Sequence, residues 1–183
     1  MECSFDLKKQ ADGRSELWTR EFAKQIRNGL NDVLENAGSN GVVVINADGI
    51  KVFDFSFANE FFGKSILSLS SEYPGRILLV ENLDEYTEEN LVETLKSLNI
   101  AMLNRKNGEI FVIGKLHSAY IETFFLIYRA AVPLTANNVG ENMGITATAA
   151  NERLTKLTEL GLMRRKKDVS NSGREIYVYS TIS

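Results

Sequence analysis

The sequence predicts an α/β unit over residues 1–115, a mixed sheet with helices against it, followed by a smaller α+β unit over residues 116–183. Three observations predict this. Strand-like and helix-like patterns alternate through residue 115, the signature of helices laid on a sheet. Beyond it, helical patterns run consecutively and close on a hairpin pattern. The charge also changes sign along the chain: residues 133–183 hold seven Lys/Arg against five Asp/Glu, leaving 14 and 19 for residues 1–132, so the nets are +2 and −5.

Composition sets the outer bounds. With 44% hydrophobic and 25% charged residues over 183 positions, the chain matches soluble globular proteins and can bury a core in each of two units, which excludes disorder and fibrous repeats. No apolar run approaches the roughly 20 residues of a membrane span, and Met1–Lys9 lacks the charged start and apolar stretch of a secretory signal. A cytoplasmic protein without membrane contact is expected. The single cysteine, Cys3, and single histidine, His117, cannot supply an internal disulfide or a Cys/His metal cluster, so no metal and no cofactor is expected.

In chain order, Met1–Lys9 alternates weakly, as a half-buried strand does, until Ala11-Asp12-Gly13 breaks it. From Ser15 to Ala37, Trp18, Phe22, Ile26, Leu30, Val33, Leu34 and Ala37 form a stripe at steps of three and four, one face of a long helix. The β-branched run Val42–Ile45 predicts a central strand buried on both faces. After the Ala47-Asp48-Gly49 turn and a short segment Ile50–Phe53, residues 56–68 carry Phe57, Phe61, Phe62, Ile66 and Leu67 at helical spacing. Arg76–Val80 predicts a second buried strand, and Thr87 a helix cap with Leu91, Leu95 and Leu98 facing inward. Ile100–Leu103 and Glu109–Gly114 flank Asn107-Gly108, a strong hairpin signal.

Ser118–Ala131 is apolar around most of its circumference and must be covered on two sides, which predicts both the first helix of the second unit and a connector packed on the first. Pro133 stops it. Ala136–Met143 then predicts a second helix ending in Gly144, and Thr146 or Thr148 caps a third in which Ala150, Leu154, Leu157 and Gly161 share one face. Residues 162–167 and 174–179 bracket Ser170-Asn171-Ser172-Gly173 as two strands of a hairpin, and within Leu162–Arg174 the cations Arg164, Arg165, Lys166, Lys167 and Arg174 face only Asp168.

The stretch TANNVGENMGITATAANERLTKLTELGLMRRKK, above all its end LTKLTELGLMRR, resembles the winged helix-turn-helix family. The resemblance implies a third helix entering the major groove of duplex DNA and a wing along the backbone or minor groove. It would place Thr148, Asn151 and Lys156 at the groove, with Thr146 and Arg153 also binding DNA, and Arg164, Arg165, Lys166, Lys167 and Arg174 at phosphates. It also implies pairing of the protein as a homodimer on paired half-sites. A small protein-binding module is the alternative, and Glu152 on the outer face suits phosphates only if it accepts from a cytosine amino group.

The segment VVVINADGIKVFDFSFANEFFGK resembles the strand-turn-helix of STAS domains, the fold of bacterial anti-sigma-factor antagonists. That resemblance implies a phospho-acceptor serine at the helix start, here Ser56, and a protein partner such as a histidine-kinase-like ATPase. Ser56 is equally readable as a helix N-cap. Gly63-Lys64-Ser65 lies inside a helical pattern and Ala58 stands where a phosphate loop needs glycine, so no such loop is read. No nucleophile, base and orienter assemble from the sequence, so a bacterial signalling or transcription regulator is expected rather than an enzyme.

Overall fold

The computed structural model describes residues 2–182; Met1, at the head of the first expected strand, and Ser183 lie outside them. The first unit is built on a five-stranded mixed sheet in the order β1-β3-β5-β6-β7. Its strands are β1 (Glu2–Asp6), β3 (Val42–Asn46), β5 (Ile77–Glu81), β6 (Ala101–Lys106) and β7 (Glu109–Gly114). The first four run parallel and β7 returns antiparallel to β6. Val42–Ile45 and Ile77–Val80 are buried at every position, which along a strand requires cover on both faces. The middle place belongs to β5; β3, expected there, stands between β1 and β5.

Several boundaries differ from expectation for local reasons. The first strand ends at Asp6, whose carboxylate accepts from Lys9 N at 2.9 Å and starts the turn α1 (Leu7–Gln10). The long helix α2 (Arg20–Asn36) begins late: Thr19, at φ 71, caps it by accepting from Phe22 N, and Trp18 lies outside it, 46% exposed. Its inward stripe is Ala23, Ile26, Leu30 and Leu34. The residues before α2, β2 (Glu16–Leu17), pair in parallel with β4 (Val52–Phe53), a ribbon too short to show periodicity.

The helix expected over residues 56–68 spans α3 (Phe55–Ala58), a π-helical turn (Asn59–Gly63) and α4 (Lys64–Glu72). A π turn inserts a residue and rotates the stripe that follows. Leu69 therefore points inward at 1% exposure, while Leu67, expected inside, is 57% exposed. In α5 (Glu85–Ser97) the cap is Asp84, not Thr87: the Asp84 carboxylate accepts from Thr87 N at 2.8 Å and from the Thr87 hydroxyl at 2.7 Å, and Thr87 is buried in the first turn. The β6–β7 hairpin turns at Asn107 and Gly108, with φ 53 and 80, as its sequence demands.

The second unit contains α6 (Ser118–Arg129), α7 (Ala136–Met143), α8 (Ala147–Glu159) and an antiparallel pair, β8 (Arg164–Val169) and β9 (Glu175–Ser180). Thr135 and Asn138 form a capping box on α7, Gly144 ends it at φ 66, and Thr146 rather than Thr148 caps α8 through Ala149 N. Phe124, Val139, Ala150, Leu154, Leu157 and Leu162 are buried among them.

The connector differs from expectation. Helix α6 packs chiefly on α8, α7 and β9. It leaves Phe125, Leu126 and Tyr128 half-buried. The first unit is reached instead through the end of α8: Gly161 seats against Leu69, and Arg164 donates from Nε to the Gly75 carbonyl at 3.1 Å and from Nη2 to the Gly41 carbonyl at 3.4 Å. Apolar composition shows that a helix has neighbours but not which ones. The buried side chains of both units form one continuous cluster.

Candidate nucleic-acid interface

On α8 the 100° step per residue sends Ala150, Leu154 and Leu157 inward and leaves Thr148, Asn151 and Glu152 exposed on the opposite side. Thr146 is exposed at the helix start with its oxygen engaged in the cap. Asn151 lies toward the hairpin, where its Oδ1 accepts from the Tyr179 hydroxyl at 3.1 Å, so its amide is held in one orientation with the NH₂ group outward. Tyr179 is 1% exposed, and burial pushes its phenol pKa up, opposed by the nearby Arg165 charge. It therefore stays a neutral donor to Asn151.

The two cations of α8 are placed differently. Arg153 turns toward α6, its Nη1 donating to the Ala119 carbonyl at 3.4 Å. Lys156 lines a groove with Lys115, His117 and Tyr120 on the flank of the helix. Arg153 is thereby withdrawn from the outer face, whereas Lys156, four residues on from Glu152, stays exposed along it. Arg164 is also withdrawn: its guanidinium is spent on the Gly41 and Gly75 carbonyls, and burial lowers its pKa.

The hairpin keeps an exposed basic edge. Arg165 lies over the Tyr177 ring at 4.6 Å, which fixes its planar fork while leaving the residue exposed. Lys167 pairs with Glu175 at 2.8 Å, but both side chains are over 60% exposed, so the pair is worth only about 0–1 kcal/mol and yields to a phosphate. Among the described residues Lys166 and Arg174 are exposed and make no ion pair. The turn is set by Gly173 at φ 77, with Arg174 N donating to the Ser170 hydroxyl. Of the expected set, Asn151 meets the hairpin through Tyr179, Thr148 and Lys156 are exposed on α8, and Arg165, Lys166, Lys167 and Arg174 are exposed on the hairpin, whereas Arg153 and Arg164 are turned to backbone carbonyls.

In the first unit, Ser56 is the second residue of α3 and not its cap. Asp54 holds that position, accepting from Phe57 N at 2.7 Å and from Thr19 N at 3.4 Å. A carboxylate already occupies the positive end of the helix beside Ser56. Phe55, next to Ser56 in the chain, is 55% exposed, and Trp18, next to Thr19, is 46% exposed.

No protein-family model matches this chain. No curated protein matches it either. Among solved structures it is similar to one described as a possible transcriptional regulator from Methanosarcina mazei Go1, at 14% identity over 46% of this chain and 76% of that one, with a TM-score of 0.34. A likeness of that size carries no argument about fold or function. Among the described residues no helix is long and apolar enough to cross a membrane.

The electrostatics of the second unit follow from its own residues. Glu152 on the outer face of α8 and Glu141 near its start oppose a phosphate backbone, whereas the hairpin presents cations without intervening carboxylates except Asp168 and Glu175. Attraction to a polyanion is therefore concentrated on the hairpin, and the exposed helix face is mostly neutral and hydrogen-bonding.

Proposed function

We propose that residues 116–183 form a winged helix-turn-helix that binds duplex DNA, and that residues 1–115 form a STAS-like domain whose signal sets that binding, so that the protein regulates transcription without catalysis. The observation that carries the reading is the pairing of an exposed polar start of α8, Thr148 and Asn151, with an exposed basic hairpin, Arg165, Lys166, Lys167 and Arg174, on a three-helix base. Short hydroxyl and amide side chains read base edges, whereas Arg and Lys neutralise phosphates and fix register. The Tyr179 hydrogen bond presets the Asn151 amide, which lowers the entropy lost on pairing with an adenine.

Four hairpin cations imply a salt slope of about −3.6, hence a loss of about 150-fold in affinity between 50 and 200 mM salt. Fluorescence polarisation of labelled genomic fragments over a salt series measures this. Replacing Lys166 and Lys167 by Ala lowers the slope by about 2 for every sequence, whereas Asn151→Ala changes sequence preference. Absent or salt-insensitive binding would sink the proposal.

A second reading is supported by Phe55, an exposed aromatic next to Ser56, and by Trp18, exposed next to Thr19, whose N–H donates to the Asp54 carboxylate. In it the first unit docks a protein partner such as a histidine-kinase-like ATPase, and a phosphate on Ser56 releases it. Asp54 works against this, since a phosphate there meets a fixed carboxylate. Ser56→Glu separates the readings: changed capture of such an ATPase with no DNA binding by the parent protein favours the second.

A further inference from the structure

Between the two units lies a cleft of about 460 Å³. This is the size of a small-molecule site, and such sites gather at domain boundaries. One wall is the turn from α4 to β5, with Arg76. The other is the second half of α8 and the start of β8, with Thr155, Thr158, Glu159 and Arg165, and Met163 among the lining. Two guanidinium groups against one carboxylate make the lining cationic, and the threonine hydroxyls add short polar groups.

Both arginines are held in place by the protein. Arg76 donates from Nη2 to the Glu35 carbonyl at 3.2 Å and lies over the Tyr73 ring at 5.5 Å, while its Nε is shielded from solvent with no acceptor. Arg165 is steadied by the Tyr177 ring, 4.6 Å away on the hairpin. Fixed, planar, permanently charged forks suit the oxygens of a phosphate group better than a mobile lysine does.

The geometry points to an effector site: this cleft binds a phosphate group carried by a small metabolite, between Arg76 and Arg165. Glu159 then accepts from a hydroxyl or ammonium group on the body of that metabolite, so a substituted phosphomonoester fits better than the bare ion. The DNA backbone is the other source of the same chemistry. The cleft lies near Thr158, about 15 Å along the helix from Thr148, and its volume suits a small molecule rather than a duplex.

Binding there bridges the turn before β5 to α8, beside the Gly161–Leu69 and Arg164 contacts, and so biases how α8 is presented. That consequence rests on the DNA-binding reading; the binding itself does not.

The test is an NMR titration of the ¹⁵N-labelled full chain, without DNA, with inorganic phosphate and with glycerol 3-phosphate at constant ionic strength against a chloride control. Saturable shifts are expected at the Gly75, Thr155, Thr158 and Gly161 amides, tighter for glycerol 3-phosphate. Arg76→Gln weakens binding at least about tenfold and Thr155→Val about fivefold, from the loss of one charged and one neutral hydrogen bond. Each variant is first checked for an unchanged thermal transition, and the second stands if the first does not fold.

Shifts that are absent, unaltered in both variants, or confined to Lys166 and Lys167 overturn the site. In a separate arm, Arg76→Gln leaves the salt slope of DNA binding unchanged; a slope lowered by about 1 assigns Arg76 to the DNA backbone and overturns the metabolite. Because the titration contains no DNA, a protein that binds none still answers it.

Discussion

Replacing Gly161 by alanine probes the contact that joins the two units. Gly161 holds φ +68, and a Cβ added there runs into Leu69 Cδ2 and stands 3.3 Å from Leu69 Cγ. Leu69 is 1% exposed, so its side chain has nowhere to swing. The left-handed backbone costs an alanine about 1 kcal/mol. Forcing the side chains apart adds about 1–3 kcal/mol, as overpacking does. The expected loss is about 2–4 kcal/mol, or about 5–15 °C in melting temperature for a chain of this length.

Gly144 is the internal control, because at φ 66 it meets nothing within 4 Å and Gly144→Ala should show only the backbone part. In a Leu69→Ala background the steric part disappears, and Gly161→Ala falls to about 1 kcal/mol, a coupling of about 1–3 kcal/mol between the two sites. Urea unfolding followed by circular dichroism at 222 nm measures all the variants. If Gly161→Ala costs no more than Gly144→Ala, or costs the same with and without Leu69, then the end of α8 does not close on α4.

Neighbouring arginines should behave oppositely. Arg164→Met removes hydrogen bonds to two carbonyls and should lower stability by about 1–2 kcal/mol without changing the DNA salt slope, while Arg165→Ala lowers the slope by about 1 at unchanged stability; the reverse pattern would mean that the inward and outward assignments are exchanged. Asp54→Ala, read by chemical denaturation, should cost about 1 kcal/mol through the lost cap on α3, and a neutral result removes Asp54 from that role. Tyr179→Phe frees the Asn151 amide, so selection from a randomised DNA pool should yield a broader base preference at one position with non-specific affinity within about twofold; an unchanged preference dissociates Asn151 from base reading.

Much of this protein was legible in its sequence because the physics concerned is local. Continuous apolar runs place β3 and β5 inside the sheet, since such runs leave no face for water. Asn107-Gly108 dictates its hairpin because both residues tolerate positive φ. The chain of α6, α7, α8 and a basic hairpin follows from periodicity, Gly144 and the Thr146 cap. Tertiary structure decided the rest, because long-range placement has no local code.

Asp84 outcompeted Thr87 as a cap once Thr87 was buried in the first turn, and the π turn at Asn59–Gly63 moved the inward position from Leu67 to Leu69. Arg164 and Arg165 are indistinguishable by composition, yet strand alternation sends one toward the carbonyls of Gly41 and Gly75 and leaves the other exposed over Tyr177, at the edge of the cleft that Arg76 also lines. Arg76 reads in the sequence as the polar start of a strand. Only the fold brings it across from α8, where its charge faces a cleft shared by both units.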